Sequence, residues 1–398
     1  MIEPMAGAAE ARTSRLNAVL REGERVTPLE LFFDLVFVLA ITQCTALMAH
    51  DPTWEGLAQG LLVLGMLWWS WTGYAWLTSV LDPEEGAVRL VMFGAMAALL
   101  LVSICVPEAF GDLALAFALI YGVVRAAHIA LFMLASPEDD GLRHSVLSLA
   151  ASSALAVALL ALASLFDGAA QGALWALALF LDMGGPYLFG SEGWKLVPEH
   201  FAERHGLIVI IALGESIVAI GLGAEHALDL GLGAAAVLGV ALTAAMWWTY
   251  FDVVAIVSGR RLVEAEPGRV QNELARDSYS YLHLIMVAGI VLVALGLKKT
   301  IGHFDDHLAT VPAFALLGGL ALYLLGHVSF RWRQVHTVNR QRLGLAIVLL
   351  ILVPVATEVP ALLALAAVNV LVWAMIAYET RSYGEGRRQV RRPEPAEA

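Results

Sequence analysis

Hydrophobic runs of about twenty residues recur along the chain and are separated by short polar segments. An α-helix of that length is about 30 Å long, which matches the hydrocarbon core of a bilayer. The pattern therefore predicts an all-α polytopic membrane protein with about twelve transmembrane helices. The predicted helices are 29–49, 56–80, 87–106, 112–135, 143–165, 171–190, 206–224, 230–258, 279–297, 309–330, 341–357 and 359–379. A re-entrant hairpin around residues 354–360 is an alternative to the last two spans.

The amino-acid composition agrees with this interpretation. Of the 398 residues, 59% are hydrophobic and only 15% are charged, which is unusual for a soluble domain. The first apolar run carries Glu30, Asp34 and Gln43, so it is a poor signal-peptide core. Cys44 and Cys105 both lie in apolar runs, where each is best explained as a small buried side chain and not as half of a disulfide.

The basic residues predict the orientation of the chain. With twelve helices, 21 of the 24 Lys and Arg residues lie on the side that holds both termini. Lys298 and Lys299 lie on the opposite side, and Arg125 is left inside a span. Because Lys and Arg are enriched in cytoplasmic loops, both termini are expected in the cytoplasm.

A weak internal repeat suggests two halves of six helices each. The Trp-Trp-Ser-Trp stretch at 68–71 is similar to Trp-Trp-Thr-Tyr at 247–250. An even number of helices in each half predicts a parallel repeat, although chance similarity between apolar helices is the alternative. The predicted segments are a cytoplasmic N-terminal segment (1–26), a six-helix half (27–190), a cytoplasmic linker (191–205), a second six-helix half (206–380) and a flexible tail with basic and acidic residues (381–398).

Ionisable residues inside the apolar runs are the candidate functional groups. A charged side chain at the centre of a bilayer costs about 2.5–3.5 kcal/mol or more, so it must pair, hold a proton or meet water. Arg125 is the candidate cation and is expected to pair with Asp34 or Asp182. His128, one turn further along that helix, can titrate near neutral pH, and a ring simply bonded to a backbone carbonyl is the alternative. The candidate proton or ion site consists of Asp34, Arg125, His128, Asp182, Glu215 and Asp252.

Aromatic residues cluster in two of the predicted helices. Trp68 and Trp69 lie in helix 56–80, and Trp247 and Trp248 lie in helix 230–258. An aromatic belt at the membrane interface is the usual explanation for such residues. A wall around a cavity is the alternative, because a belt needs only one or two rings per helix and these helices carry at least four.

Metal sites and cofactors are not expected. His303 and His307 in one loop, and Glu199, His200 and Glu203 in another, are better explained as polar loop residues than as metal ligands. The chain lacks the Walker A, dinucleotide-binding, zinc-protease and nucleophile-elbow motifs. No predicted loop is long enough to form a separate catalytic domain.

Two stretches resemble the signatures of the bacterial low-temperature-requirement A (LtrA) family. The first is Pro-Leu-Glu-Leu-Phe-Phe-Asp-Leu-Val-Phe-Val at 28–38. The second is Glu-Arg-His-Gly-Leu at 203–207 with Leu-Gly-Glu-Ser at 213–216. The resemblance covers about residues 24–380 and implies a multi-pass protein of the bacterial cytoplasmic (inner) membrane, from a family associated by name with growth in the cold. It marks as signature positions Glu30, Asp34, Glu203, Arg204, His205 and Glu215.

The function favoured by these observations is proton-linked transport, or an ion pathway, that uses buried carboxylates between the two halves. An intramembrane enzyme acting on a lipid or isoprenoid is a less favoured alternative, as is a sensory or structural membrane protein. The expected partners are membrane lipid and an unidentified small molecule or ion, without nucleic acid. A homodimer is compatible with the sequence.

Overall fold

The regular structure of the chain is helical. The computed structural model describes residues 25–84, 86–135, 140–188, 194–224 and 229–391. In these ranges no β-strand occurs, and an isolated β-bridge joins His307 to Pro360. The helices are α1 (Pro28–His50), α2 (Trp54–Thr78), α3 (Gly86–Cys105), α4 (Ala114–Ala135), α5 (Asp140–Ala163), α6 (Gly168–Leu188), α7 (Pro198–Gly223), α8 (Leu230–Phe251), α9 (Val254–Glu264), α10 (Arg269–Ala275), α11 (His283–Gly302), α12 (Thr310–Val335), α13 (Arg340–Ala356), α14 (Ala361–Ser382) and α15 (Gly384–Val390).

Helices occupy all twelve predicted positions, and the chain is an all-α, multi-pass membrane protein. Within the described ranges, nine stretches are long and apolar enough to cross a membrane. The long helices α2, α6 and α13 are not among them. Helix α13 has 17 residues and extends for about 25 Å, less than the hydrocarbon thickness. A full set of twelve spans therefore stays a prediction.

One large difference from the predicted helices is the start of α7. The sequence pattern placed it at residue 206, whereas the helix begins at Pro198. The first two turns are polar, and their side chains His200, Arg204 and His205 are buried. A helix prediction based on hydrophobicity leaves such residues outside the helix, because hydrophobicity contains no information about the polar groups that pair with them. Arg125 is thus not the only basic residue buried in a helix: Arg204 is buried as well.

The predicted and observed helices also differ at other positions. The predicted helix 230–258 is interrupted at Val253, where φ is −140° and the backbone leaves the helical conformation before α9. Helices α10 and α11 are joined by a π-helical turn, Arg276–Leu282. The predicted N-terminal segment up to residue 24 and the end of the predicted tail, 392–398, lie outside the described residues.

The chain divides into two compact units. Unit 1 comprises Met1–Gln43, Leu62–Arg204 and Glu266–Glu273, and unit 2 comprises Cys44–Leu61, His205–Ala265 and Leu274–Ala398. In unit 1, helices α3 to α6 pack each against the next. In unit 2, α12 packs against α11 and α13, and α8 packs against α14. The predicted six-helix halves and their parallel relation stay predictions.

Helix α11 approaches α12 closely through glycines, as small residues allow in membrane proteins. A Cβ atom at Gly289 would lie 2.5 Å from the backbone N of Tyr323 and 2.7 Å from the backbone O of Gly319. We expect Gly289→Ala to destabilise the protein by about 1–3 kcal/mol, because backbone cannot move aside as a flexible side chain can. Thermal unfolding in detergent measures this effect.

The matched control is Gly94→Ala in α3. A Cβ atom there meets nothing within 4 Å of the described atoms. Because alanine favours a helix over glycine by up to about 1 kcal/mol, this variant should be as stable as the wild type or slightly more so. Equal unfolding temperatures for the two variants would contradict the close helix contact.

Candidate functional site

A buried charge cluster joins α1 to α7 within unit 1. Glu30 and Asp34 are one turn apart on α1, and neither has solvent-exposed surface. Arg204 on α7 contacts both carboxylates: its Nη1 lies 3.0 Å from Glu30 Oε1 and its Nη2 lies 2.6 Å from Asp34 Oδ1. His200, one turn before Arg204, has its Nε2 2.8 Å from Glu30 Oε1. These four residues are called the α1–α7 charge cluster below.

Neutral groups add further hydrogen bonds to this cluster. The backbone N–H and the hydroxyl of Thr27 donate to Glu30 Oε2 over 2.8 and 3.1 Å. The indole of Trp71, on α2, donates to Asp34 Oδ1 over 2.9 Å. Since a buried charge is costly without such partners, these bonds fix Glu30 and Asp34 in position.

The α1–α7 charge cluster contains unequal numbers of carboxylate and guanidinium groups. Two carboxylates face one guanidinium, so the cluster carries a net negative charge while His200 is neutral. Asp34 Oδ2 is buried and, within the part of the chain that the structure describes, has no hydrogen-bond partner. An acceptor of that kind is stabilised by a proton or a cation. The cluster is therefore suited to take up a positive charge, either on His200 or on Asp34.

A second buried cluster, in the same unit, is balanced. Arg125 Nη2 lies 3.0 Å from Asp182 Oδ1, and both residues are almost fully buried. The hydroxyl of Ser153 accepts from Arg125 over 2.7 Å and donates to Asp182 over 2.7 Å. Tyr121 donates to the other oxygen of Asp182 over 2.7 Å. One cation thus meets one anion with added hydrogen bonds, the arrangement that makes a buried ion pair tolerable.

The six predicted site residues lie in different surroundings in the structure. Arg125 pairs with Asp182, which is one of the two predicted pairs, whereas Asp34 pairs with Arg204. His128 is buried next to the Arg125 pair, with its ring 5.4 Å from that of Tyr74. The other two predicted residues belong to unit 2: Glu215 is buried, and Asp252 pairs with Arg387 over 2.5 Å and also with Arg391.

The four predicted cavity aromatics fall into two groups. Trp68 and Trp69 are buried, as is their neighbour Trp71. Trp247 is 47% exposed, and Trp248 is half-buried. Interior packing describes the first group, and only Trp247 has the outward exposure that an interfacial belt requires.

The remaining signature residues have contacts of their own. Glu203 is exposed and accepts a hydrogen bond from the backbone N of Val26, just before α1. His205 is buried in unit 2, with its ring 5.2 Å from Tyr279 and 5.3 Å from His283. Among the described residues, no three His, Cys, Asp or Glu side chains are grouped in a way that could hold a metal ion.

Sequence reasoning missed Arg204 as the partner of the α1 carboxylates, and it treated His200 as a loop residue. The available signal was a matched spacing: Glu30 and Asp34 are four residues apart, and so are His200 and Arg204. Residues at that spacing share one face of a helix. Two such pairs of opposite charge type can meet along two packed helices, but only if α7 begins before residue 200.

Comparison with known proteins assigns the chain to a family. Residues 25–377 match the family described as bacterial low temperature requirement A protein (LtrA). An uncharacterized protein of Rhizobium meliloti (strain 1021) is 31% identical over 309 residues, which cover 75% of each chain. No solved structure matches the chain. Because the family match spans nearly the whole chain, including α1 and α7, the protein belongs to the bacterial LtrA family of multi-pass membrane proteins.

Proposed function

We propose that this LtrA protein is a proton-linked transporter or ion pathway of the bacterial cytoplasmic membrane, with both termini in the cytoplasm. One observation carries the proposal: the buried α1–α7 charge cluster has two carboxylates for one guanidinium, and Asp34 Oδ2 lacks a hydrogen-bond partner among the described residues. Ionisable groups within membrane helices mark proton and ion pathways in many pumps and transporters.

In the proposed cycle, Asp34 is the group that gains and loses the proton. When Asp34 is protonated, Glu30 and Arg204 form a neutral pair. When Asp34 is ionised, the excess negative charge must be compensated by a proton on His200 or by a bound cation. Because buried charges interact strongly, the two states favour different helix contacts, and this difference couples protonation to a conformational change.

Glu215 is the proposed second carboxyl of the pathway. It lies on α7, in the part of that helix that belongs to unit 2. It is buried, like Asp34. The balanced pair of Arg125 and Asp182 has no excess charge for a proton to neutralise, so we assign it a supporting role in the fold.

The test is proton flux into proteoliposomes that contain a pH-sensitive dye and are driven by a potassium diffusion potential. We expect flux with the wild type and none with Asp34→Asn. Asparagine keeps the size of the side chain and an acceptor for Trp71 and Arg204, but it cannot carry a proton at neutral pH. Glu215→Gln tests the second carboxyl in the same way.

The matched control is Asp112→Asn, which makes the same chemical change at an exposed position. It should conduct protons like the wild type. Each variant is first shown to be monodisperse and to unfold at a temperature close to that of the wild type. Undiminished flux in both folded variants, Asp34→Asn and Glu215→Gln, would refute the proposed pathway.

A further inference from the structure

Unit 2 contains a cavity that the α1–α7 charge cluster does not use. It has a volume of about 280 Å³ and lies among the ends of α12, α13, α14 and α15. Three arginines, Arg331, Arg342 and Arg387, line it, together with one carboxylate, that of Glu379. The lining therefore carries more positive than negative charge.

Arg342 is the fixed centre of this lining. It is buried, and its Nε and Nη2 each donate to a different oxygen of Glu379 over 3.1 Å. Its Nη1 donates to the backbone O of Thr249 over 3.0 Å and to His327 Nδ1 over 3.1 Å. These bonds use four of the five N–H groups of the guanidinium and hold its plane in one orientation.

His327 adds a buried donor to the same cavity. Because its Nδ1 accepts from Arg342, the neutral ring carries its proton on Nε2. That nitrogen is buried and has no hydrogen-bond partner among the residues that the structure describes. The side chain is only 2% exposed, yet it lines the cavity. A buried N–H without an acceptor is costly, and a ligand oxygen in the cavity would satisfy it.

The other two arginines of the lining have contacts of their own. Arg387, on α15, donates to the hydroxyl of Thr380 over 2.8 Å and pairs with Asp252. Partial burial lowers the pKa of Arg387, and the nearby charge of Arg342 adds to this effect. Arg331 is exposed and donates through Nε to Thr337. Positive groups gathered in this way are stabilised by an anion.

We propose that this cavity binds a phosphate-type oxyanion, either as a soluble phosphate or as the headgroup of an anionic phospholipid. Guanidinium groups match the geometry of phosphate oxygens and form strong, charge-assisted hydrogen bonds with them. A phosphate group offers enough acceptor oxygens for Arg331, Arg342 and Arg387 and for the unpartnered Nε2 of His327. The proposal does not depend on proton transport, since it involves none of the residues of the α1–α7 charge cluster.

The first experiment measures binding of inorganic phosphate to the purified full chain in neutral detergent by titration calorimetry. Sodium chloride keeps the ionic strength constant, because surface charge effects vary with salt. We expect saturable binding by the wild type and at least about tenfold weaker binding by Arg331→Gln, which loses one charge-assisted contact. Arg331 is exposed, so its replacement does not threaten the fold.

The matched control is Arg340→Gln. Arg340 is exposed and lies in the adjoining segment, but it is not part of the cavity lining. Arg340→Gln removes the same charge at a similar position, and the affinity of this variant for phosphate should stay within about twofold of the wild type. A loss of affinity equal to that of Arg331→Gln would show that the effect comes from the overall charge of the protein and not from a specific site. It would overturn the proposal.

The second experiment identifies the source of the phosphate group. The same variants are titrated with mixed micelles that contain phosphatidylglycerol, and with micelles that contain only a zwitterionic lipid. If the wild type binds free phosphate and Arg331→Gln binds it more weakly, the ligand is a soluble phosphate. If the wild type binds only the phosphatidylglycerol micelles and Arg331→Gln binds them more weakly, the ligand is a lipid headgroup. Absence of saturable binding of both probes to the wild type would overturn the proposal. Asp34→Asn should bind like the wild type, which separates this result from the transport hypothesis.

Discussion

Replacing Arg204 by glutamine should destabilise the protein by about 3–5 kcal/mol, which is among the largest effects expected of a single substitution in this chain. The change leaves Glu30 and Asp34 buried one turn apart without their shared cation, and an uncompensated buried charge costs that much. The measurable result is a sharp loss of monodisperse protein in detergent and a lower unfolding temperature for what remains.

The rescue of this variant is the more specific test. If the cost comes from unpaired carboxylates, then adding Glu30→Gln and Asp34→Asn to Arg204→Gln should restore much of the lost stability. Loss of packing around the arginine would not be rescued in this way. A single Arg204→Gln variant as stable as the wild type would contradict the buried ion pairs.

The matched control for Arg204→Gln is Arg333→Gln. Arg333 is partly exposed, and its partner Asp277 has a second ion pair with Arg276. Its replacement should cost less than about 1 kcal/mol, which is typical of exposed ion pairs.

The positions of the helices could be predicted because an apolar run of about twenty residues has few alternatives to a helix in a membrane. Polar residues at the ends of the runs were harder. Helix α7 begins at Pro198. The side chains of His200 and Arg204 can be buried in its first two turns because both pair with Glu30, which is 170 or more residues away in the sequence. Hydrophobicity measures the cost of burying a charge but contains no information about a distant partner.

The candidate site was predicted in part for the same reason. A lone acid in an apolar run, such as Asp34, is visible in the sequence, and so is a lone cation such as Arg125. Their pairing depends on which helices pack together, and two acids, Asp34 and Asp182, were compatible with Arg125. In the structure, Arg125 pairs with Asp182 and Arg204 pairs with Asp34. The two acids therefore differ in charge balance, a distinction that the sequence alone does not contain.

That distinction leads to opposite expectations for the two clusters. The pair of Arg125 and Asp182 is balanced, so both charges can be removed together without leaving an unpaired ion. Either Arg125→Gln or Asp182→Asn alone should destabilise the protein by about 3–5 kcal/mol, because each leaves one buried charge. The double variant should be substantially more stable than either single variant, as measured by thermal unfolding in detergent.

Proton flux in the same double variant separates support of the fold from transport. If the Arg125 pair only supports the fold, then the folded double variant should conduct protons like the wild type, whereas Asp34→Asn should not. Hydrogen bonds from Ser153 and Tyr121 can still reach the amide that replaces Asp182. A folded double variant without flux, beside an active Asp34→Asn variant, would instead place the proton pathway at α4 and α6. The charge imbalance at Asp34 would then have a purely structural explanation.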